Sequence, residues 1–437
     1  MGTVPSVRAF GRRIVDTGVM SNTRNSRTVH DSSQSVDLAT SSSTSRLSRR
    51  GSVVWRVLAV PVAAVIALGA AGGAASAAPS KEEAESLKSR AQGLLGDGYP
   101  AALAAVTDAK GESAGAAVGK GSLETGQAPP MDGEVRIGSN TKTFVAVVVM
   151  QMVQEGKVGL DEPIETYLPG LIRGEGIDGS KITVRQLLQH TSGLPEYTDT
   201  TPGRSDIFQI KDHYAQPRDL LDTALGKPAA FEPGTQWAYT NTNYVVLGML
   251  VERVSQRPVG EQIDERIVKK LGLSHTYFPA PGDRSIKGTH PQGYHLSAGG
   301  KLEDITEMDP AWGWAAGAMV STPSELNTFF QAVFDGRLLT QASIQEMKKG
   351  VDIGSGGRVY GLGIVGTPLS CGGTAWGHGG DIAGYHTRGG VGPDGTAVTV
   401  AVTALPTAIA DQNNPENSAK EKAGKIAEAV DISLCHK

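Results

Sequence analysis

The chain has 437 residues, 41 Lys and Arg against 45 Asp and Glu, a formal net charge of −4 and 39 % apolar side chains. No basic patch points to nucleic acid. The length is enough to bury a sizeable core, as one large domain or two lobes.

The first fifty residues are Ser/Thr-rich and poor in apolar groups. Arg49-Arg50 then precedes an apolar run from Val57 to Ala71 that ends in Ala75-Ser76-Ala77. A basic pair, a short apolar stretch and small residues form a secretory signal, with cleavage expected after Ala77. The run is short for a membrane span. Residues 1–77 therefore read as leader, and 78–437 as the exported, extracellular domain with no stable span. The long start is either a mis-assigned first codon or a disordered leader. Arg49-Arg50 fits a twin-arginine signal or an ordinary basic n-region. Nine arginines and three aspartates fall in the leader, so the remainder carries 32 basic and 42 acidic residues, a net charge of −10. Its two cysteines, Cys371 and Cys435, are expected to bridge in an oxidising compartment, two free buried thiols being the alternative.

Residues 81–97 place apolar groups at helical spacing, and apolar runs near 101–107 and 114–118 read as a hairpin. Gly111-Glu112-Ser113-Ala114-Gly115 matches the G-x-S-x-G elbow of α/β-hydrolases literally, but a strand follows it rather than a helix, so it reads as a hairpin turn. An apolar stretch from Phe144 to Met152, closed by Gly156, predicts a buried helix. From about 160 to 310 the chain is punctuated by Pro and Gly, with helical stretches at 184–189, 217–225 and 243–255. A helix at 324–334, strand-like runs near 360–365, 387–390 and 397–403, and a last helix at about 417–430 complete the pattern. The expectation is a mixed α/β (α+β) fold. An antiparallel sheet is built from both chain ends, with flanking helices and an inserted, mostly helical lobe at about 160–310. The site is expected where lobe meets sheet.

Ser139 and Lys142 form the chain's one Ser-x-x-Lys. On a helix the two share a face, so a desolvated lysine can take the serine's proton. Tyr239-Thr240-Asn241 and His378-Gly379-Gly380 follow in order. The trio resembles that of the penicillin-recognising serine acyl-enzymes, class C β-lactamase-like. Ile137–Phe144, Thr166–Leu171, Ser192-Gly193-Leu194 and Leu369–Gly372 extend the likeness to the actinomycete secreted D-alanyl-D-alanine carboxypeptidase/transpeptidase group, over nearly all of the chain after residue 80.

That resemblance implies roles. Ser139 would be the nucleophile and Lys142 its base. Tyr239, its pKa lowered by Lys142, would shuttle the proton, and Asn241 would hold the acyl-side carbonyl. His378 would orient the leaving group and tune Tyr239. Glycines at 379 and 380 would let substrate backbone approach, and the N–H groups of Ser139 and Asp381 would form the oxyanion hole. Trp312 would be a pocket wall, with 194–197 opposite. No H-E-x-x-H or H-x-H spacing supports a metal, and no cofactor is implied. In the carboxypeptidases an arginine and two threonines hold the leaving carboxylate. Val365, Gly379 and Asp381 stand at those positions, and Asp381 would repel a carboxylate. The function expected is a secreted, monomeric D-alanyl-D-alanine carboxypeptidase-like serine hydrolase acting on peptidoglycan-type peptides and acylated by β-lactams. A D-aminopeptidase, amidase, esterase or β-lactamase is the alternative, and a non-catalytic wall-binding protein a more distant one.

Overall fold

The computed structural model describes residues 81–200, 207–354 and 356–435. The expected leader and its cleavage site lie outside them. Among the described residues, no helix is long and apolar enough to cross a membrane.

Eight strands form one antiparallel sheet: β1 Ala101–Thr107, β2 Ser113–Gly119, β3 Val351–Asp352, β4 Val359–Tyr360, β5 Val365–Pro368, β6 Thr374–Ile382, β7 Tyr385–Val391 and β8 Ala397–Val402. Their order is β2-β1-β8-β7-β6-β5-β4-β3. The N-terminal hairpin thus joins the C-terminal strands through β1 and β8, with Ala102 opposite Val402. Both of these strands are buried on both faces and read as unbroken apolar runs, which is what covered strands require.

Helix α1 (Lys81–Gly96) buries Leu87, Ala91 and Leu94, one stripe, against β1 and β2. Helix α2 (Thr141–Gln154) is buried almost all round and lies on the other face, its Phe144 ring stacked on Phe329. Around it pack α3 (Val184–Gln189), α4 (Pro217–Leu225), α5 (Asn241–Ser255) and α6 (Pro323–Phe334). Helix α7 (Gln341–Lys348) leads into the edge strands, and α8 (Pro415–Cys435) covers the α1 face. The sheet therefore separates two apolar clusters.

Three elements differ from expectation. The run at 360–365 is not one strand: β4 and β5 pair antiparallel across a turn, Tyr360 opposite Val365. Glycine-rich 374–382 is the longest strand in the sheet. Helix α8 runs on to Cys435, whose disulfide with Cys371 spans a sequence separation of 64 and pins the helix end beside β5.

Candidate active site

Ser139 sits in a 3-10 turn, Gly138–Asn140, that runs straight into α2. Two glycines bring this turn against β6. Gly138 has φ +47°, and a Cβ there would lie 2.8 Å from the Asp381 backbone nitrogen. On β6, a Cβ at Gly380 would overlap the Ile137 carbonyl oxygen. Only bare backbone fits on either side. The contact sets the Asp381 amide beside the Ser139 turn, where an oxyanion would be held.

Lys142 is fully buried one turn on. Its Nζ lies 3.0 Å from Ser139 Oγ, 2.8 Å from Asn241 Oδ1 and 2.7 Å from the Ala316 carbonyl oxygen. The last two groups can only accept, so two N–H bonds are committed to them. The third position faces Ser139, and in the neutral amine it is the lone pair. Burial pulls the Lys142 pKa down to about 7, against opposing charges from Glu196 and Asp381. An amine beside a serine hydroxyl is thus largely available as a base near neutrality.

Tyr239 reaches Ser139 from the loop before α5, its hydroxyl hydrogen-bonded to that serine. Lys142 Nζ stands 4.9 Å from the Tyr239 ring centroid. Lys142 does not lower the Tyr239 pKa. Burial of the hydroxyl raises it above the ordinary value, only partly opposed by the Ser139 hydrogen bond. Because 37 % of Tyr239 stays open to solvent, water screens part of that shift. The phenol stays protonated at neutral pH.

Asn241 opens α5, following the Thr240 N-cap. Its Nδ2 donates to Glu196 Oε2 at 3.1 Å, and its backbone N–H donates to the same oxygen at 2.7 Å. Glu196 therefore fixes which end of the Asn241 amide faces Lys142, and its charge complements the helix start. The second Nδ2 hydrogen is left to meet a substrate carbonyl.

His378 is buried, with its pKa pulled down to about 3 chiefly by burial. Its Nδ1 donates to the Gly379 carbonyl oxygen at 2.6 Å, and its Nε2 accepts from the Tyr360 hydroxyl at 2.9 Å. Tyr360 in turn accepts from His190 Nε2 at 3.1 Å, since His190 Nδ1 takes the Asn243 amide and the Thr240 N–H. His190 ends α3 in the left-handed region, φ +62°, which turns its ring back under Tyr239, centroids 4.4 Å apart. Both His378 nitrogens are thus spent on this relay and on its own strand. The ring meets Tyr239 only at 6.4 Å between centroids, so the expected direct tuning is not made by a hydrogen bond.

Asp381 is not a bare charge. Arg388, opposite Gly379 on β7, donates to both its oxygens at 3.1 and 3.2 Å, and His386 touches the same carboxylate. Burial pushes the Asp381 carboxyl up, but Arg388 and His386 outweigh it and hold it below the usual range. The side chain is 55 % exposed, so solvent weakens every one of these effects. A Cβ at Gly379 would sit 2.7 Å from Arg388 Nη1, so a larger residue there would have to displace the arginine side chain. The repulsion expected of Asp381 is therefore largely cancelled. Val365 pairs with Gly377 on the neighbouring strand. Trp312 packs on the main core, and its carbonyl oxygen accepts the Tyr197 hydroxyl. Among the described residues, no cluster could hold a metal ion.

Sequence reasoning missed Glu196, His190, Tyr360 and Arg388. Glu196 lies inside the flagged loop 194–197, Tyr360 and Arg388 lie in the strand-like runs 360–365 and 387–390, and His190 directly follows the helical stretch 184–189, but no sequence pattern assigned any of the four a role at the site.

The beta-lactamase family model matches residues 87–422. A D-stereospecific amidohydrolase from Streptomyces sp. superposes with a TM-score of 0.70 at 33 % identity, covering 79 % of this chain and 98 % of that one. A D-amino acid amidase from Ochrobactrum anthropi SV3 gives 0.69 at 26 % identity, over 80 % and 99 %. PbpX of Bacillus subtilis (strain 168) is 28 % identical over 211 residues, 48 % of this chain and 49 % of PbpX, so the chain spans about half the length of this curated relative. The chain belongs to the beta-lactamase family, a family of serine hydrolases.

Proposed function

We propose that the protein is an exported serine amidohydrolase. It would act through an acyl-enzyme on Ser139, on substrates whose acyl group is D-configured and whose leaving group is an amine. The observation that carries this is the placement of Lys142 Nζ, whose free position faces Ser139 Oγ at 3.0 Å. Lys142 takes the hydroxyl proton as Oγ adds to the carbonyl carbon. The developing oxyanion sits between the Ser139 and Asp381 N–H groups. Tyr239 hands its proton to the leaving nitrogen as the C–N bond breaks, and the Lys142 ammonium returns one to the phenolate. Water then releases the acid by the same path reversed. Export rests on the signal-like leader, and the disulfide agrees with an oxidising compartment.

The amidohydrolase reading is favoured on the leaving-group side. Val365 is apolar, Gly379 has no side chain, and the Arg388 fork is occupied by Asp381, so none of these three positions offers a free cation to a terminal carboxylate. The Streptomyces and Ochrobactrum neighbours agree with this. A D-alanyl-D-alanine carboxypeptidase acylated by penicillins is the second reading, because Arg388 could turn from Asp381 to a substrate carboxylate.

The test compares kcat/KM for a peptide ending in D-Ala-D-Ala, its C-terminal amide and a D-amino-acid amide. The two amides are expected to exceed the free acid. A strong preference for the acid overturns the amidohydrolase reading. Mapping a fluorophosphonate adduct to any residue but Ser139 overturns both.

A further inference from the structure

Lys142 is fixed by two acceptors, and they reach it differently. Asn241 stands on α5, whereas the Ala316 carbonyl oxygen belongs to a strap, residues 313–319, coiled around the 3-10 turn Trp314–Ala316. The strap is folded tightly on itself. Its Trp314 carbonyl oxygen accepts the N–H groups of Gly317 and Ala318 at 3.1 and 2.9 Å, and a Cβ at Gly313 would lie 2.9 Å from the Gly317 carbonyl carbon. Its far end is tied to the nucleophile turn. The Met319 carbonyl oxygen accepts the Ile137 N–H at 3.0 Å, and the Met319 N–H donates to Thr141 Oγ1 at 3.1 Å.

The middle of the strap is held in another way. Trp314 adopts φ +34°, a region that bulky residues rarely enter, so its surroundings must keep it there. The indole lies on Gly248 of α5, where a Cβ would come within 2.7 Å of Cζ3, 2.8 Å of Cη2 and 2.6 Å of the Ala315 Cβ. Gly248 is two turns past Asn241, so the helix that carries one acceptor for Lys142 also seats the strap that carries the other. The indole also borders a cavity of about 240 Å3 walled by Val259, Phe278, Pro279 and Pro310, which leaves it room to swing off the helix.

We propose that Trp314 is a positioning residue for the base: seated on Gly248, it holds the Ala316 carbonyl oxygen against Lys142 Nζ, so that the lone pair of the amine is left to Ser139. The proposal rests on the reading of Lys142 as that base. Once the Ala316 acceptor is displaced, the N–H it held can turn towards Ser139 Oγ, and the lone pair leaves the line of the hydroxyl proton. The loss falls on proton transfer, while the substrate-facing groups stay in place.

Stopped-flow labelling with a fluorophosphonate over a concentration series tests this, because it separates the maximal rate from the half-saturating concentration. Two variants disturb the contact from opposite sides. Trp314→Ala removes the ring, and Gly248→Ala drives a methyl into it while favouring the helix. Each should lower the maximal rate by about tenfold or more. The half-saturating concentration should stay within about twofold. The midpoint of the pH profile should not rise, because Lys142 stays buried and has lost an acceptor that favours its charged form. Circular dichroism checks folding, and should Trp314→Ala fail to fold, Gly248→Ala decides alone. A wild-type maximal rate in either folded variant overturns the proposal. So does a midpoint raised by about one unit, which would mean that water has entered a loosened site. Lys142→Arg, run alongside, separates this proposal from the reading beneath it. Near-normal labelling there overturns both, whereas its loss beside wild-type rates in the Trp314 and Gly248 variants overturns the positioning role alone.

Discussion

The pH profile of acylation gives the sharpest check on the catalytic geometry. If Lys142 is the base and titrates at about 7, its neutral fraction is about 9 % at pH 6 and about 91 % at pH 8. Acylation of Ser139 should therefore rise about tenfold between those values. Burial holds the neighbouring histidines His190, His378 and His386 below the ordinary imidazole value. His378 titrates at about 3, Tyr239 is held above its ordinary value, and Asp381 is held below its own. Glu196 supplies a second arm. Its charge opposes the burial effect on Lys142, so Glu196→Gln should move the midpoint to lower pH. A glutamine can still accept from the Asn241 N–H groups, so the local hydrogen bonding is largely kept. The assay is stopped-flow labelling with a fluorophosphonate from pH 5 to 9, on both proteins. A flat wild-type profile, or a midpoint that stays put in Glu196→Gln, would refute the reasoning.

Lys142→Arg keeps the charge but cannot give up its proton, so labelling should fall by at least about a hundredfold; near-normal labelling would leave Tyr239 as the base. Gly380→Ala drives a methyl into the Ile137 carbonyl oxygen and should separate β6 from the Ser139 turn. Acylation should drop by about 10²-fold or more with the fold retained by circular dichroism. Tyr360→Phe removes the donor to His378 Nε2 and the acceptor for His190, at a stability cost of about 1–3 kcal/mol. Nitrogen NMR should show His378 leaving its single tautomer, and an unchanged spectrum would dismiss the relay. Replacing both cysteines by serine opens a loop of 64 residues and should lower unfolding free energy by up to about 4 kcal/mol, read by urea titration.

The candidate trio was legible because the chemistry it resembles demands fixed residue types at fixed spacing, with Ser139 and Lys142 at the entry to α2, Tyr239 and Asn241 at the entry to α5, and His378 with Gly380 on β6. The apolar helices and β1 were equally plain, α1 from its apolar spacing and α2 and β1 as apolar runs. Strand β6 was not, since Gly377, Gly379 and Gly380 are poor strand formers by composition. Two of them are there because backbone presses on them, β7 on Gly377 and the Ile137 carbonyl on Gly380, while Gly379 leaves room for the Arg388 side chain. Sequence lists the glycine but not the neighbour that requires it. The charge of Asp381 was misjudged for the same reason. Its partners Arg388 and His386 lie across the β6–β7 ladder, a register no local pattern reveals. The bend between β4 and β5 was hidden because Leu362 and Ile364 are as apolar as strand residues and are buried in the turn itself.

The pairing of β1 with β8 has a kinetic consequence. Residues 102 and 402 must meet to close the centre of the sheet, a chain separation of three hundred residues. Closing so long a loop costs entropy before any contact repays it, which makes folding slow relative to helical proteins of this length. The hairpin of β1 and β2 can form as soon as it is made, but its open edge waits for the last eighth of the chain. The same wait applies to chemistry. Ser139 and Lys142 are made together, in the turn and first residues leading into α2, yet the Asp381 amide they face arrives some 240 residues later. On the proposed mechanism, a nascent chain would carry nucleophile and base long before it could stabilise the charge they create, and hydrolysis would begin only when the C-terminal strands dock.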